Sequence, residues 1–200
     1  MSVGKSTLVN ALKELPEFKD YFFATERSKY LRDLGIPLNT DSTLKGQTIF
    51  LAERCSELMR ENVITDRTII DVMAFTHCAK SIDKVDKEEF IKYASMFIKE
   101  YDYVFYVSPI GVEIEDNGVR ETNAEYRELI DMTIKGVINE NLNYIQNFLT
   151  GNLMFPSPDT YSWSCGTGLR SITPFLSKIT LLIMLSRSSL RFDFSRCSSF

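Results

Sequence analysis

The chain has 200 residues, of which 44% are hydrophobic and 25% are charged, a composition typical of one soluble globular domain. Its net charge of −4 without a basic block argues against nucleic acid as a partner. Its longest apolar stretch, residues 179–185, is too short to cross a membrane. Met1 begins no signal peptide, and the four cysteines lack the spacing of a metal cluster, so we expect a cytoplasmic protein with free thiols.

The chain starts with the second half of a phosphate-binding loop. Residues 1–7, M-S-V-G-K-S-T, carry the end of the pattern G-x-x-x-x-G-K-[ST]. In such a loop, backbone N–H groups surround the phosphates, a lysine reaches the β- and γ-phosphates, and a hydroxyl binds Mg²⁺. The pattern predicts that ATP and Mg²⁺ are bound by Val3, Gly4, Lys5, Ser6 and Thr7, with Lys5 also catalytic and Ser6 a metal ligand.

The first glycine of this pattern, and the strand that leads into it, would precede Met1. We therefore expect an N-terminally truncated domain whose sheet lacks its first strand and whose stability and activity are low, since buried strand edges lose their hydrogen bonds. The segment that follows the half-loop has the context that the motif requires. It predicts a helix with one apolar face that ends before Pro16 and is formed by Leu8, Ala11, Leu12 and Leu15.

Strands and helices alternate in the rest of the first 150 residues. Short strands are predicted over residues 21–25, 62–66 and 101–108, and amphipathic helices over residues 43–60, 86–99 and 125–138. This alternation predicts an α/β sandwich with a parallel sheet. In such folds the ligand lies beyond the carboxyl ends of the strands, so residues just after each strand are the candidates for function.

The first predicted strand is followed by Glu26 and Arg27. A carboxylate and a guanidinium at a strand terminus can bind a substrate hydroxyl together with a phosphate or a ring edge. The two residues are therefore predicted to bind the substrate, with an exposed ion pair as the alternative.

The second predicted strand ends in Asp66 and Arg67, and Asp71 follows five residues after Asp66. A β-branched strand ending in aspartate resembles a Walker B strand, so Asp66 is predicted to hold Mg²⁺ or to act as the base on the acceptor hydroxyl. The structural alternative is that Asp66 caps the helix that follows.

The third predicted strand leads into an acidic loop with the turn D-N-G at residues 116–118, and Arg120 and Arg127 follow it. Two arginines at the start of a helix would neutralise the charge that develops during phosphoryl transfer. They are predicted to be catalytic lid residues, and the alternative is two solvated arginines. His77 is predicted to be a helix residue rather than a catalytic base.

The composition changes near residue 146. Residues 1–146 are predicted to form the nucleotide-binding domain, whereas residues 147–200 are rich in serine, carry more basic than acidic residues and show little helical periodicity. This C-terminal extension is predicted to be irregular, without the closing strand and helix of the domain. It is either a native tail with one docking helix or a frameshifted extension.

Taken in order, G-K-S-T-L, T-E-R, the strand ending in T-D-R, and the loop with D-N-G-V-R resemble the small P-loop kinases of the NadR-type AAA domain family. That family includes proteins similar to nicotinamide riboside kinase and phage nucleoside or nucleotide kinases, and the resemblance covers about residues 2–145. It implies a three-layer P-loop NTPase sandwich, ATP and Mg²⁺ as cofactors, and a small acceptor contacted by Glu26, Arg27 and Arg67.

The leading hypothesis is a kinase that moves the γ-phosphoryl group of ATP to a small nucleoside- or nucleotide-like acceptor. A regulatory GTPase is a weaker alternative, because residues 83–86, D-K-V-D, partly match the guanine-reading motif. A truncated protein that binds nucleotide without catalysis is the third.

Overall fold

The computed structural model describes residues 5–25, 28–108, 123–145, 148–152 and 164–165, and for residues 6–8 and everything after residue 145 it describes the backbone alone. The helices are α1 (Lys5–Lys13), α2 (Ser28–Asp33), α3 (Leu44–Glu57), α4 (Ile69–Cys78), α5 (Lys84–Ser95) and α6 (Ala124–Glu140). The strands are β1 (Phe22–Ala24), β2 (Val63–Thr65), β3 (Val104–Ser108), β4 (Phe148–Asn152) and β5 (Ser164–Cys165). Single 3₁₀ turns occur at Pro16–Phe18, Asn39–Asp41, Ile98–Glu100 and Leu142–Tyr144.

Every helix and strand predicted before residue 146 is present, with ends shifted by a few residues. Helix α2 was not predicted, because it has six residues and buries only Leu31, which is too little for a helical period to show. No helix in the described part of the chain has the length and apolarity needed to cross a membrane.

The strands form two sheets, and each contains one parallel pair. Strand β1 lies parallel to β2, and β3 lies parallel to β4, which also pairs with β5 in the antiparallel direction. Parallel pairing is thus confirmed. The expectation that no strand follows residue 146 is wrong, because β4 pairs with β3 along its whole length, from Val104 opposite Phe148 to Ser108 opposite Asn152. Among the described strands, none joins the two sheets.

Two apolar cores fill the described part of the molecule. The larger core is made by the helices α3 to α6 together with β3 and the residues before it, and its fully buried members include Ile69, Ile70, Ala94, Ile98, Val104 and Ile130. The smaller core contains Val9 and Leu12 of α1, Ile64 of β2 and Val107 of β3. Helix α1 therefore packs where the two sheets approach each other.

Candidate functional site

Helix α1 begins at Lys5, which is 8% exposed. The first turn of a helix presents free N–H groups and the positive end of a dipole, which favour an anion such as phosphate. The backbone of Ser6 and Thr7 belongs to this first turn, and their side chains lie outside the described residues, as do Val3 and Gly4. The structure therefore supports the helical half of the predicted phosphate loop and does not describe its loop half.

The start of α1 and the end of β2 lie close to the same apolar contact. Val9 and Ile64 both belong to the smaller core. Lys5 precedes Val9 by one turn, about 6 Å along a helix axis. Asp66 follows Ile64 by two strand residues, about 6.6 Å along a strand. The predicted phosphate-binding lysine and the predicted Walker B carboxylate thus belong to one region of the molecule.

Asp66 is 1% exposed and lies directly after β2, where its backbone N–H donates to the carbonyl of Ala24 at 3.2 Å. It does not cap α4. The N-cap is Thr68, whose hydroxyl accepts from the backbone N–H of Ile70 at 3.1 Å. The capping alternative for Asp66 is therefore wrong, because the helix begins later than the sequence suggested. Asp66 is thus a buried carboxylate at the end of a strand that does not cap the following helix.

Asp71, by contrast, has a structural role. Its Oδ2 accepts from the backbone N–H of Thr68 at 2.9 Å, which completes a capping box at the start of α4. Its Oδ1 lies 3.2 Å from Nη1 of Arg67. The guanidinium of Arg67 also lies over the ring of Phe75, at 5.4 Å from the ring centroid. The first turns of α4 thus orient Arg67, the one predicted acceptor-binding residue that the structure describes, since Glu26 and Arg27 lie outside the described residues.

A buried ionic network at the same end of β2 was not predicted from the sequence. Arg54 of α3 is 3% exposed and lies 2.9 Å from Glu57 through Nη2. Its Nη1 donates to the hydroxyl of Thr65 at 3.4 Å and to the carbonyl of Arg67 at 3.5 Å. The signal in the sequence is a pair of opposite charges three residues apart on the face of α3 that also carries Leu51.

The surroundings of Glu57, a carboxylate of this network, change its pKa. Burial raises the pKa of Glu57 to about 7, and this effect exceeds the lowering of the pKa by the charge of Arg54 and the hydrogen bond from Thr65. The neighbouring charges of Glu53 and Asp66 raise the pKa further. The network is thus poised to change its charge near neutral pH.

Of the two predicted lid arginines, the structure describes Arg127, in the first turns of α6, whereas Arg120 lies outside the described residues. Arg127 precedes Asp131 by one turn, and burial lowers the pKa of Arg127 while the Asp131 carboxylate raises it. Asp131 is itself held by the hydroxyl of Tyr106 and, at 2.7 Å, by Lys135. Arg127 therefore belongs to a charged cluster that joins α6 to β3.

Asp83 and His77 both lie at the ends of helices. Asp83, the first residue of the D-K-V-D match, is the N-cap of α5 and accepts from the backbone N–H of Asp86 at 3.0 Å. His77 is exposed near the end of α4, as predicted.

In the described ranges, no group of three or more His, Cys, Asp or Glu side chains could hold a metal ion. A single aspartate still fits Mg²⁺, which is usually bound through one or two carboxylates together with nucleotide phosphates and water.

A family profile described as an AAA domain matches residues 1–150, about three quarters of the chain. No curated protein and no solved structure gives a significant match. The match extends through the helical half of the phosphate loop, the aspartate after β2 and the first residues of β4. The chain belongs to the AAA domain family and carries a nucleotide-binding domain of the P-loop NTPase type.

Proposed function

We propose that this protein is a kinase that transfers the γ-phosphoryl group of ATP to a small nucleoside- or nucleotide-like acceptor. The observation that supports the proposal most is Asp66, a buried carboxylate at the carboxyl end of β2 whose helix-capping role is taken by Thr68. Ile64, two residues before it, shares the smaller core with Val9, one turn after the start of α1 at Lys5, where the family's phosphate loop would end. A carboxylate there can accept the proton of a substrate hydroxyl or hold Mg²⁺ through water.

On the phosphate side, the backbone N–H groups of residues 3–7 would surround the phosphates, and Lys5 would neutralise the β- and γ-phosphates. The hydroxyl of Ser6 and the carboxylate of Asp66 would hold Mg²⁺. A bound Mg²⁺ would supply neutralisation of the phosphate charge during transfer. Arg120 and Arg127 would stabilise the negative charge of the group in transfer, which is the usual task of arginines in such sites.

On the acceptor side, Arg67 has the best support, because it directly follows Asp66 in the chain and its guanidinium is held by Asp71 and Phe75. A guanidinium in a fixed position can form two parallel hydrogen bonds to a phosphate or a carboxylate, which favours an acceptor that carries such a group. Glu26 and Arg27 are proposed to contact the same acceptor after β1.

Two measurements test the proposal. Calorimetric titration with Mg-ATP and Mg-GTP measures nucleotide binding, and the release of ADP is then followed with a panel of nucleosides and nucleoside monophosphates. We expect tighter binding of Mg-ATP and release of ADP with at least one acceptor. Lys5→Met should abolish nucleotide binding, whereas Asp66→Asn should weaken Mg-ATP binding far less and lower turnover by at least about 100-fold, the size of effect of a lost acid–base group.

The exposed Asp20→Asn and Lys80→Ala serve as matched controls, since each removes the same kind of charge elsewhere. Nucleotide binding without turnover on any acceptor would contradict the kinase proposal and support a protein that only binds nucleotide. Full turnover by Asp66→Asn would remove Asp66 from the site.

A further inference from the structure

We infer that Arg54 is a positioning residue of this site: it holds residues 65–67 so that Asp66 and Arg67 are presented together to the metal and the acceptor. The inference rests on the proposed function for its consequence and on the contacts of α3 with β2 for its geometry. Arg54 itself touches neither the nucleotide nor the acceptor in this scheme.

The contacts of Arg54 enclose the peptide that carries Asp66. Nη1 donates to Thr65 Oγ1 and to the carbonyl oxygen of Arg67, the residues on either side of Asp66. Thr65 Oγ1 also donates to the carbonyl of Arg67 at 2.7 Å. The Thr65 hydroxyl therefore bonds across the turn at residues 65–67, and the Arg54 guanidinium bonds to the same turn from α3. Together these contacts fix the direction in which the Asp66 side chain leaves the backbone.

The anchor for this guanidinium is α3. Glu57, one turn further along the helix, lies 2.9 Å from Nη2 of Arg54, and Glu53 lies 3.8 Å from it. A buried guanidinium is costly unless its charge is paired, so the carboxylates keep Arg54 in place rather than in water. The planar guanidinium offers several donors in fixed directions, which allows Nη2 to contact Glu57 while Nη1 reaches β2. The ammonium of lysine is a compact point charge and cannot bridge the same groups.

The ionisation of Glu57 changes the hydrogen bonding of the Thr65 hydroxyl, so the turn at residues 65–67 responds to pH. The hydroxyl of Thr65 has one proton, yet both Glu57 Oε2, at 3.3 Å, and the Arg67 carbonyl accept from it. Ionised Glu57 competes for that proton, whereas protonated Glu57 leaves it to Arg67. The other groups that act on Glu57 are Arg54 and Glu53 on its own helix, Asp66 after β2, and Tyr101 before β3.

The test compares Arg54→Lys in the full chain with the control Arg32→Lys, at a partly exposed arginine that pairs with Asp33 on the short helix α2. Three quantities are measured: the affinity for Mg-ATP by calorimetry, kcat and KM with the best acceptor, and amide hydrogen exchange over residues 65–67 and 70–75. We expect Arg54→Lys to leave the Mg-ATP affinity within about twofold and to lower kcat by about 100-fold, the cost of a displacement of about 1 Å. Amide exchange should rise in residues 65–67 and stay unchanged in α4. Arg32→Lys should match the wild type in all three.

Thr65→Val repeats the test without removing a charge, because valine has nearly the shape of threonine and lacks the hydroxyl. We expect the same local rise in amide exchange, and Thr65→Ser should restore the wild-type values. Glu57→Gln should flatten the dependence of kcat on pH near 7, which a purely structural role would not do.

The outcomes separate the two proposals. If the wild type binds Mg-ATP but shows no turnover, the kinase proposal fails, and amide exchange alone then decides the role of Arg54. Unchanged exchange at residues 65–67 in Arg54→Lys overturns the inference. A rise in exchange that extends equally through α4 also overturns it, because Arg54 would then only stabilise the fold.

Discussion

The two apolar cores of this protein differ in how they are enclosed. The larger core is surrounded by α3, α4, α5 and α6, and it includes Tyr101, whose buried hydroxyl accepts from the first backbone N–H of α4 at 2.8 Å. The smaller core lies under α1, and its buried strand residues are Ile64 of β2 and Val107 of β3, with the partly buried Phe23 and Phe105 packed against it. The proposed nucleotide site lies at the border of the smaller core, so the site depends on the less enclosed part of the fold.

The two edges of strand β2 also differ in how their backbone groups are paired. Asn62 accepts from Phe22, and Asp66 donates to Ala24, so the peptide groups of these two β2-flanking residues point toward β1. In a parallel ladder alternate residues point to opposite sides, and Val63 and Thr65 therefore direct theirs away from β1. Among the described strands only β1 pairs with β2. The strand is also contacted by α1, which packs on Ile64, and by Arg54, which bonds to the hydroxyl of Thr65.

The sharpest comparison of the two cores uses the same substitution in each. Leu51 of α3 and Leu12 of α1 are 4% and 2% exposed, and both lie on helices. Leucine to alanine in a core costs about 2–5 kcal/mol, depending on how well the site can collapse. We expect Leu51→Ala to fall near the upper end of that range and Leu12→Ala near the lower end, as measured by urea unfolding.

The exposed Leu129→Ala is the control and should change the free energy of unfolding by less than about 0.5 kcal/mol. Equal costs at Leu51 and Leu12 would mean that the smaller core is as tightly packed as the larger one. The proposed site would then not lie in the weaker region.

Measuring stability as a function of pH tests the ionic network of Arg54, Glu57 and Thr65. Burial raises the pKa of Glu57 from 4.5 to about 7, so the folded chain resists the ionisation of this carboxyl. Its contribution to stability is complete below about pH 4.5 and is lost as the pH rises through 7. After allowance for partial exposure to solvent, we expect a loss of about 1–2 kcal/mol between pH 4.5 and 8, measured as the difference between wild type and Glu57→Gln. A free energy of unfolding of the wild type that stays constant relative to Glu57→Gln over this range, or that rises relative to it, contradicts the raised pKa.

The sequence predicted the elements well and the site only in part. Each helix with a clear apolar face, such as α6, and each aromatic or β-branched strand was found, because burial on one side sets the period of the residues. The order of motifs also indicated the family. The role of Asp71 was not predictable, because capping depends on where α4 starts, and helix ends are set by local hydrogen bonds that hydrophobic periodicity does not encode. Arg54 was missed for another reason: its partners, Thr65 and Arg67, lie more than ten residues away and meet it only when α3 packs beside β2.

The smallest predicted effect concerns Thr68, the N-cap of α4, which lies two residues after Asp66. Its hydroxyl caps α4 while its backbone N–H donates to Asp71, the carboxylate that also holds Arg67. Thr68→Ala should lower the free energy of unfolding by about 1 kcal/mol, the usual cost of a lost cap, and Thr68→Ser should keep it. Because Asp71 loses its contact with the Thr68 hydroxyl but keeps the backbone N–H, we expect Arg67 to stay in place and the KM for the acceptor, which Arg67 is proposed to bind, to remain unchanged. A rise in that KM together with the loss of stability would show that the start of α4 couples the larger core to the acceptor side of the site. The two regions would then behave as one coupled unit.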